Sequence, residues 1–465
     1  MMAPKQIDDK PKDECGVFGI YAPLEDVSRL TYYGLLALQH RGQESAGIAA
    51  ADGKSLQLHK GMGLVTDVFT KEKLADLKGD FAIGHVRYST TGQSTLANAQ
   101  PLLSSSSTPN IALAHNGNLV NSFKLRKRLA TKGVKFETTS DSEVILKLLT
   151  GTEAQFSPEL LAQVFTQVQG AYSVLVLTEN QLVGARDPHG VRPLCLGKLK
   201  RGSYVLASES CALDTIGAQL IRDIKPGEII QITQKGLRSI NISAEQQRLC
   251  VFEYIYLARQ DSKIDNQLVN EVRRSFGKQL AREVNIDVDL VIAVPESGIT
   301  AALGFAEEKQ LPFREGLAKN RYLGRTFIQP NQRQREREVQ LKLNPVPGLL
   351  AGKKVAIVDD SIVRGTTCCQ IVKMLRKAGA KEVHFLVSSP PLRYPCYYGV
   401  DVSSQQQLIA ARKSISEIKN HIGADSLHYL SVEGMLLALK DNGHRVCKAC
   451  FNGEYPITIP DTLSC

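Results

Sequence analysis

No run of 18 apolar residues occurs anywhere in the 465-residue chain, so no helical membrane span is expected. The first 14 residues, MMAPKQIDDKPKDE, mix acids and lysines without an apolar centre. They do not read as a secretory leader, and a cytoplasmic location is expected. Ten cysteines are too few for a disulfide scaffold in a chain of this length, yet enough for a catalytic thiol and a metal site. No zinc-finger pattern and no RNP-type segment is present. The net charge of +10 is concentrated instead: ten Lys/Arg against three Glu lie between Arg314 and Lys354. Without a nucleic-acid motif, that segment is expected to hold a polyanionic small molecule and no nucleic acid. A content of 43% hydrophobic and 22% charged residues is ordinary for a globular protein of two or three domains.

What is present centres on Lys354–Thr367, KVAIVDDSIVRGTT. Val355 to Val358 read as a short buried strand, with Asp359 and Asp360 at its carboxyl end, where open α/β sheets place ligands. Ser361, Arg364, Gly365, Thr366 and Thr367 then form a turn before an apolar helical pattern with Ile371, Val372 and Leu375 on one face. Backbone N–H groups at such a helix start make a seat for a phosphate. The paired acids accept hydrogen bonds from sugar hydroxyls, directly or through hydrated Mg²⁺. The GxxxxGK[ST] pattern of a Walker loop is absent here. A second polar turn, Pro295-Glu296-Ser297-Gly298, follows the strand Asp289–Val294. The stretch AKNRYLGRTFI adds Lys319, Arg321 and Arg325 around Gly324, a pattern that suits a mobile lid over a pyrophosphate.

The amino-terminal half carries a different chemistry. Cys15 opens the strand-like run CGVFGI after a loose tail. If the tail is removed, the new α-amine, with a pKa of about 7.7–8.0, can act as base for its own thiol. Arg41 sits in a polar turn after a helical start. Arg87 ends a short strand at a hydroxyl-rich turn. ALAHNGN reads as a strand closing in an Asn116–Gly117 turn. TTSDSEVILKLL places Ser140 as N-cap with Glu143 as its capping-box partner, and Asp141 at the helix start. An amino-acid substrate needs a cation for its carboxylate and a carboxylate for its ammonium, and Arg87 and Asp141 supply them. The Asn116 side chain and the Gly117 N–H supply an oxyanion donor pair. The remaining elements read as a helix over Ser157–Val168, a strand over Gly170–Thr178 and a turn at Lys225–Gly227. Beyond the boundary placed near Gly236–Val251, a helix begins at Leu268.

Cys447 and Cys450 form a CxxC pair, and Cys250 and Cys396 sit beside aromatic residues in LCVFEYIY and PCYYG. Four thiolates so spread hold either a [4Fe–4S] cluster or structural Zn²⁺, and spacing does not choose.

CGVFGI, LQHRGQE, GHVRYST, HNGNLVN and TSDSE, in that order, resemble the N-terminal-nucleophile glutamine amidotransferase domain. With KNRYLGRTFI, VAIVDDSIVRGTT and VCKACF, the chain from Asp13 to Phe451 resembles the amidophosphoribosyltransferase family, which carries out the first committed step of purine synthesis. The resemblance implies a fold of two parts: an αββα sandwich over 15–245, then a type I phosphoribosyltransferase parallel-sheet domain over 246–465. It implies a propeptide over 1–14, Cys15 as nucleophile, and Arg87, Asn116, Gly117 and Asp141 as the glutamine-site residues. It implies binding of 5-phosphoribosyl 1-pyrophosphate (PRPP) by Lys319, Arg321, Arg325, Asp359, Asp360, Ser361, Arg364, Gly365, Thr366 and Thr367, with Ser297, Asp359 and Asp360 serving Mg²⁺. It also chooses among the metals: Cys250, Cys396, Cys447 and Cys450 match the ligands of a structural [4Fe–4S] cluster. Family members often have Asp where this chain has Glu296, whose longer reach could alter the metal geometry slightly. A homotetramer and feedback by purine nucleotides are further expectations of the resemblance.

The expected reaction moves ammonia from glutamine to PRPP, giving 5-phosphoribosylamine, glutamate and pyrophosphate. Free ammonia protonates in water, so glutamine hydrolysis is expected to depend on PRPP. Three other readings compete: a salvage-type phosphoribosyltransferase with a non-catalytic amino-terminal regulator, a sugar-phosphate aminotransferase, and a non-enzymatic PRPP or nucleic-acid binder. The aminotransferase leaves VAIVDDSIVRGTT without a purpose.

Overall fold

The computed structural model describes residues 15–88, 93–104, 109–151, 156–242, 245–320, 342–402, 404–440 and 445–460. The expected propeptide, Arg321, Gly324 and Arg325 lie outside the described residues.

The amino-terminal half is two stacked antiparallel sheets. The first has seven strands: β1 (Gly16–Tyr21), β2 (Ser45–Ala51), β3 (Leu56–Met62), β4 (Phe81–Arg87), β9 (Cys195–Lys198), β10 (Tyr204–Ala207) and β11 (Gln219–Asp223). Their spatial order is β11-β9-β10-β1-β4-β2-β3. The second comprises β5 (Leu102–Ser104), β6 (Ile111–Leu119), β7 (Gly170–Leu177), β8 (Gln181–Arg186), β12 (Glu228–Thr233) and β13 (Gly236–Asn241), ordered β13-β12-β8-β7-β6-β5. Strand alternation divides the side chains between layers. Val17, Ala49, Ile83, Ala112, Ala114 and Leu175 meet between the sheets. Phe18 and Ile20 face the outer helix Val27–Ala37, and Leu113, Val174 and Val176 face the helices Ser142–Thr150 and Pro158–Gln167. The result is the expected αββα sandwich.

The carboxyl half is a four-stranded parallel sheet ordered Leu290–Ala293, Lys354–Asp359, Glu382–Val387, Ser426–Tyr429. Both faces are covered, which is why its central strands read as continuous apolar runs. The helices Val269–Glu283 and Ile299–Lys309 bury Val272, Phe276, Leu280 and Phe305 on one side. The helices Thr366–Lys377 and Ile415–Ile422 bury Ile371, Val372, Leu375, Ile418 and Ile422 on the other. At the junction, β14 (Leu249–Cys250) pairs in parallel with Val446–Cys447 and ties the start of this half to its end. A π-helical stretch, Glu253–Leu257, follows immediately.

Three local expectations need correction. Asn116 and Gly117 do not form a turn; they lie inside β6, opposite Ser173 and Tyr172 of β7. The glycine is needed there because φ is +140° and a Cβ would lie 2.0 Å from the Ala171 carbonyl oxygen. The Ser140–Glu143 capping box is also absent. Asp141 is the N-cap, and Glu143 instead accepts from the backbone N–H groups of Glu137 and Thr138, both at 2.8 Å. Leu268 precedes its helix and is 41% exposed, so the buried stripe starts at Val269.

Candidate functional site

The first site lies at one end of the space between the two sheets. Val17 faces that space, so Cys15, two residues earlier, continues the same face. Gly16 pairs with Val86, which brings Arg87 beside the thiol on the neighbouring strand. Ala112 and Ala114 face inward from the opposite sheet, and Asn116 is next in that series. The Cys15 thiol donates to the Tyr88 carbonyl at 3.3 Å. Arg87 is buried and its Nη1 donates to the Gln93 carbonyl at 3.2 Å. Asn98 holds this edge by donating to Gln93 and to Thr139 Oγ1, at 2.7 and 2.8 Å. Asp141 closes it, its Oδ2 accepting from the Leu119 N–H at 2.9 Å.

Asn116 is the anomaly. Its side chain is fully buried, yet neither Nδ2 nor Oδ1 has a hydrogen-bond partner among the described residues. Buried polar groups in native proteins are nearly always paired. Behind it, the His115 N–H donates to Gln100 Oε1 at 2.7 Å and His115 Nδ1 lies 3.0 Å from Ser142 Oγ. Burial lowers the pKa of His115, against the attraction of Asp141, so the ring is neutral. Burial likewise lowers His85 to about 3.

The second site is built at the carboxyl end of the strand Lys354–Asp359. Asp359 and Asp360 are both buried, which separates them from ordinary solvated acids. The Asp360 N–H donates to Asp359 Oδ1 at 2.9 Å, and Ser361 Oγ donates to Asp360 Oδ1 at 2.6 Å. Ser297 Oγ donates to Asp360 Oδ2, so the two polar turns meet at one carboxylate. Gly365, with φ +82°, turns the chain into the helix Thr366–Lys377, a conformation that disfavours any side chain. Arg364 Nη2 donates to Gln407 Oε1 at 2.8 Å. Lys319 reaches over the site's rim to Glu296, Nζ to Oε1 3.3 Å.

Cys250, Cys396, Cys447 and Cys450 line one pocket with a free volume of about 20 Å³, walled by Phe252, Leu392, Tyr398, Val400 and Tyr455. Cys250 and Cys447 are directly paired across the short parallel ladder. The Tyr398 N–H donates to Cys396 Sγ at 3.4 Å. Burial, then the neighbouring Cys396, pushes the Cys447 thiol up to about 12, and burial with the other three thiols raises Cys450 well above the usual range. Among the described residues, no three His, Cys, Asp or Glu side chains are grouped closely enough for a metal ion.

Sequence reasoning missed the charges buried at the junction. Arg41, Arg192, Glu209 and Glu253 are each 1% exposed or less. The usable signal was acids inside apolar runs, as in LCVFEYIY. Tyr88 was missed too; its hydroxyl lies 3.4 Å from Asp401 Oδ2 of the other half.

A buried thiol at the edge of one sheet interior and a buried acid pair before a glycine-turned helix start in the other half suit a two-domain glutamine-dependent transferase. Comparison agrees: residues 85–215 match the model of a glutamine amidotransferase domain, and 262–401 that of a phosphoribosyl transferase domain. The amidophosphoribosyltransferase of Synechococcus elongatus is 52% identical over 461 residues, covering 98% of this chain and 94% of the relative. That of Bacillus subtilis is 48% identical, covering 96% and 95%. A solved Bacillus subtilis glutamine PRPP amidotransferase, complexed with ADP and GMP, superposes with a TM-score of 0.91. It is 47% identical and covers 96% of this chain and 98% of that one. The chain belongs to the amidophosphoribosyltransferase family. Likeness along the whole length does not favour a salvage enzyme with an inert amino-terminal regulator.

Proposed function

We propose that this chain releases ammonia from glutamine at Cys15 and transfers it to PRPP at the Asp359–Thr367 loop, the first step of purine biosynthesis. The observation that carries the reading is the buried, unpartnered Asn116 carboxamide facing the Cys15 end of the sheet interior. In the free enzyme that group is costly; on a tetrahedral oxyanion it gains its partner.

In this reading residues 1–14 are a propeptide and Cys15 is the mature amino terminus. Residues 15–245 form the glutaminase domain and 246–465 the phosphoribosyltransferase domain. Arg87 holds the glutamine carboxylate and Asp141 its ammonium. The thiolate attacks the side-chain amide, the α-amine passes the proton, and ammonia leaves. Asn116 and the Gly117 N–H hold the oxyanion, and water then releases glutamate from the thioester. In the second domain, backbone N–H groups of Arg364–Thr367 hold the 5-phosphate, and Asp359 and Asp360 hold the ribose hydroxyls. Lys319, Arg321 and Arg325 hold the pyrophosphate. Ammonia attacks C1 with inversion and pyrophosphate departs.

Ser297, Asp359 and Asp360 suit Mg²⁺, which takes one or two carboxylates and completes its shell with water and substrate phosphates. Bound there, the ion would neutralise the leaving pyrophosphate. The four-cysteine cavity suits a [4Fe–4S] cluster. Four thiols on one apolar-walled pocket, not grouped closely enough for a single ion, support that choice over zinc, which needs all four sulfurs within ~2.3 Å of one centre. The cluster would be structural, tying the junction to the carboxyl terminus. The ADP and GMP in the Bacillus subtilis structure support purine-nucleotide regulation here. A homotetramer and a cytoplasmic location complete the proposal; no helix among the described residues is long and apolar enough to cross a membrane.

The test separates the sites. Cys15→Ala should abolish glutamate release yet keep ammonium-driven pyrophosphate release. Asp359→Asn with Asp360→Asn should abolish pyrophosphate release from either nitrogen source. Loss of both activities in Cys15→Ala would contradict the assignment.

A further inference from the structure

Between the two sites lies a set of buried charges that neither reaction uses directly. The Arg41 guanidinium is held between two carboxylates. Its Nε donates to Glu209 Oε1 of its own domain, and its Nη2 lies 2.5 Å from Glu253 Oε2 of the other. Glu253 also faces Arg192 Nη1 at 3.6 Å. The charges face one another with His40, whose Nε2 is 2.7 Å from Glu209 Oε1.

This set packs against the thiol site and connects to the PRPP site through the residues between them. Toward the thiol, a Cβ placed on Gly16 would lie 3.4 Å from Arg41 Cδ, and one on Gly42 would lie 2.6 Å from the Arg87 backbone. The Arg41–Gly42 segment thus packs directly behind Cys15–Gly16 and Arg87. Toward PRPP, Glu209 accepts from the Arg259 N–H at 2.8 Å and from Ser262 Oγ at 2.6 Å. The adjoining Gln260 Oε1 accepts from Thr300 Oγ1 at 3.2 Å, in the first turn of the helix after Ser297. Ser297 in turn donates to Asp360. A second arm runs from Arg192, whose Nε and Nη2 donate to the Tyr398 carbonyl at 3.0 and 2.6 Å, two residues from Cys396.

Glu253 opens the π-helical stretch Glu253–Leu257, an irregular winding that is common at functional sites. Arg273 clamps both its ends, donating to the Tyr254 and Ala258 carbonyls at 2.8 and 2.7 Å. Opposite charges in a low-dielectric interior are held strongly, so they move together or not at all. A shift of the π-helical stretch relative to Glu209 must re-aim the guanidinium, and with it the backbone behind Cys15 and Arg87.

We propose that Arg41 and Glu253, supported by Glu209 and Arg192, are positioning residues that couple occupancy of the PRPP site to the glutamine thiol. The inference rests on the PRPP dependence of glutamine hydrolysis expected above. The test is Glu253→Gln, which keeps the shape and removes the charge, with Arg41→Lys as a second variant should the first not fold. Glutamate release is measured with and without PRPP, and pyrophosphate release is measured with ammonium salts. The expected result is a PRPP stimulation of glutamate release reduced by about tenfold or more, with ammonium-driven pyrophosphate release within about twofold of the parent. An unchanged stimulation ratio, or a parallel loss of both activities, overturns the proposal. Glutamate release that ignores PRPP in the parent enzyme overturns it together with the dependence on which it rests.

Discussion

Replacing Asn116 with alanine should make the protein more stable and nearly abolish its glutaminase activity. The carboxamide is fully buried and has no partner for Nδ2 or Oδ1 among the described residues. A buried group left in that state costs about 1–3 kcal/mol, and removing it recovers that cost. Lost packing opposes the gain by roughly 1 kcal/mol, since only three side-chain atoms go. The net is a stabilisation of about 0–2 kcal/mol, read as a rise of ~2–4 °C in the melting temperature per kcal/mol for a domain this size. Removal of one oxyanion donor should lower glutamine turnover by about 10²–10³. Ammonium-driven pyrophosphate release, made in the other domain, is the internal control and should not change. A variant that melts several degrees lower, while hydrolysing glutamine normally, would refute the reasoning.

Further outcomes follow from the same geometry. Gly117→Ala forces a Cβ against the Ala171 carbonyl at φ +140°; it should cost about 2–3 kcal/mol or more, measured as a lower urea midpoint. His85 is neutral in the fold, its pKa lowered to about 3 by burial. The unfolded chain therefore binds one more proton between pH ~6.5 and ~3, so His85 stabilises the fold fully above pH ~6.5. Its contribution is lost at about 1.4 kcal/mol per pH unit as the pH falls. Urea titrations at pH 7, 6 and 5 should show a shallower acid loss in His85→Asn; an identical slope would contradict the burial of a neutral ring. Cys396→Ser should reduce iron in anaerobically purified protein to background and lower its resistance to thermal unfolding. Retention of full iron content would remove Cys396 from the ligand set.

The architecture was largely legible because its strands carry clear patterns. Val355–Val358 is apolar without interruption and became a central parallel strand, while the alternation of Val17 and Phe18 sorted β1 between two layers. Ile371, Val372 and Leu375 fell on one buried helix face as their spacing required. The Asn116–Gly117 pair misled because this dipeptide favours tight turns. Here the same positive φ is absorbed within a ladder, held by pairing with β7 that local sequence does not reveal. Glu143 misled similarly: two backbone N–H groups of the preceding loop took its carboxylate from the N-cap. The Arg41–Glu253 pair was invisible for a different reason. Its partners are 212 residues apart, and a charged residue read alone is taken as solvated. Burial of a charge is decided by its partner, and the partner by the fold.

The central claim is that one chain holds a glutamine thiol site and a PRPP site that work as a pair. The most direct measurement follows glutamate and pyrophosphate together in an anaerobic reaction of the purified protein with glutamine, Mg²⁺ and PRPP, beside a control without PRPP. The account predicts equimolar release of the two products, with glutamate release falling sharply when PRPP is omitted. Pyrophosphate formed from ammonium salts but never from glutamine would contradict the role given to Cys15, and glutamate formed equally without PRPP would contradict the coupling.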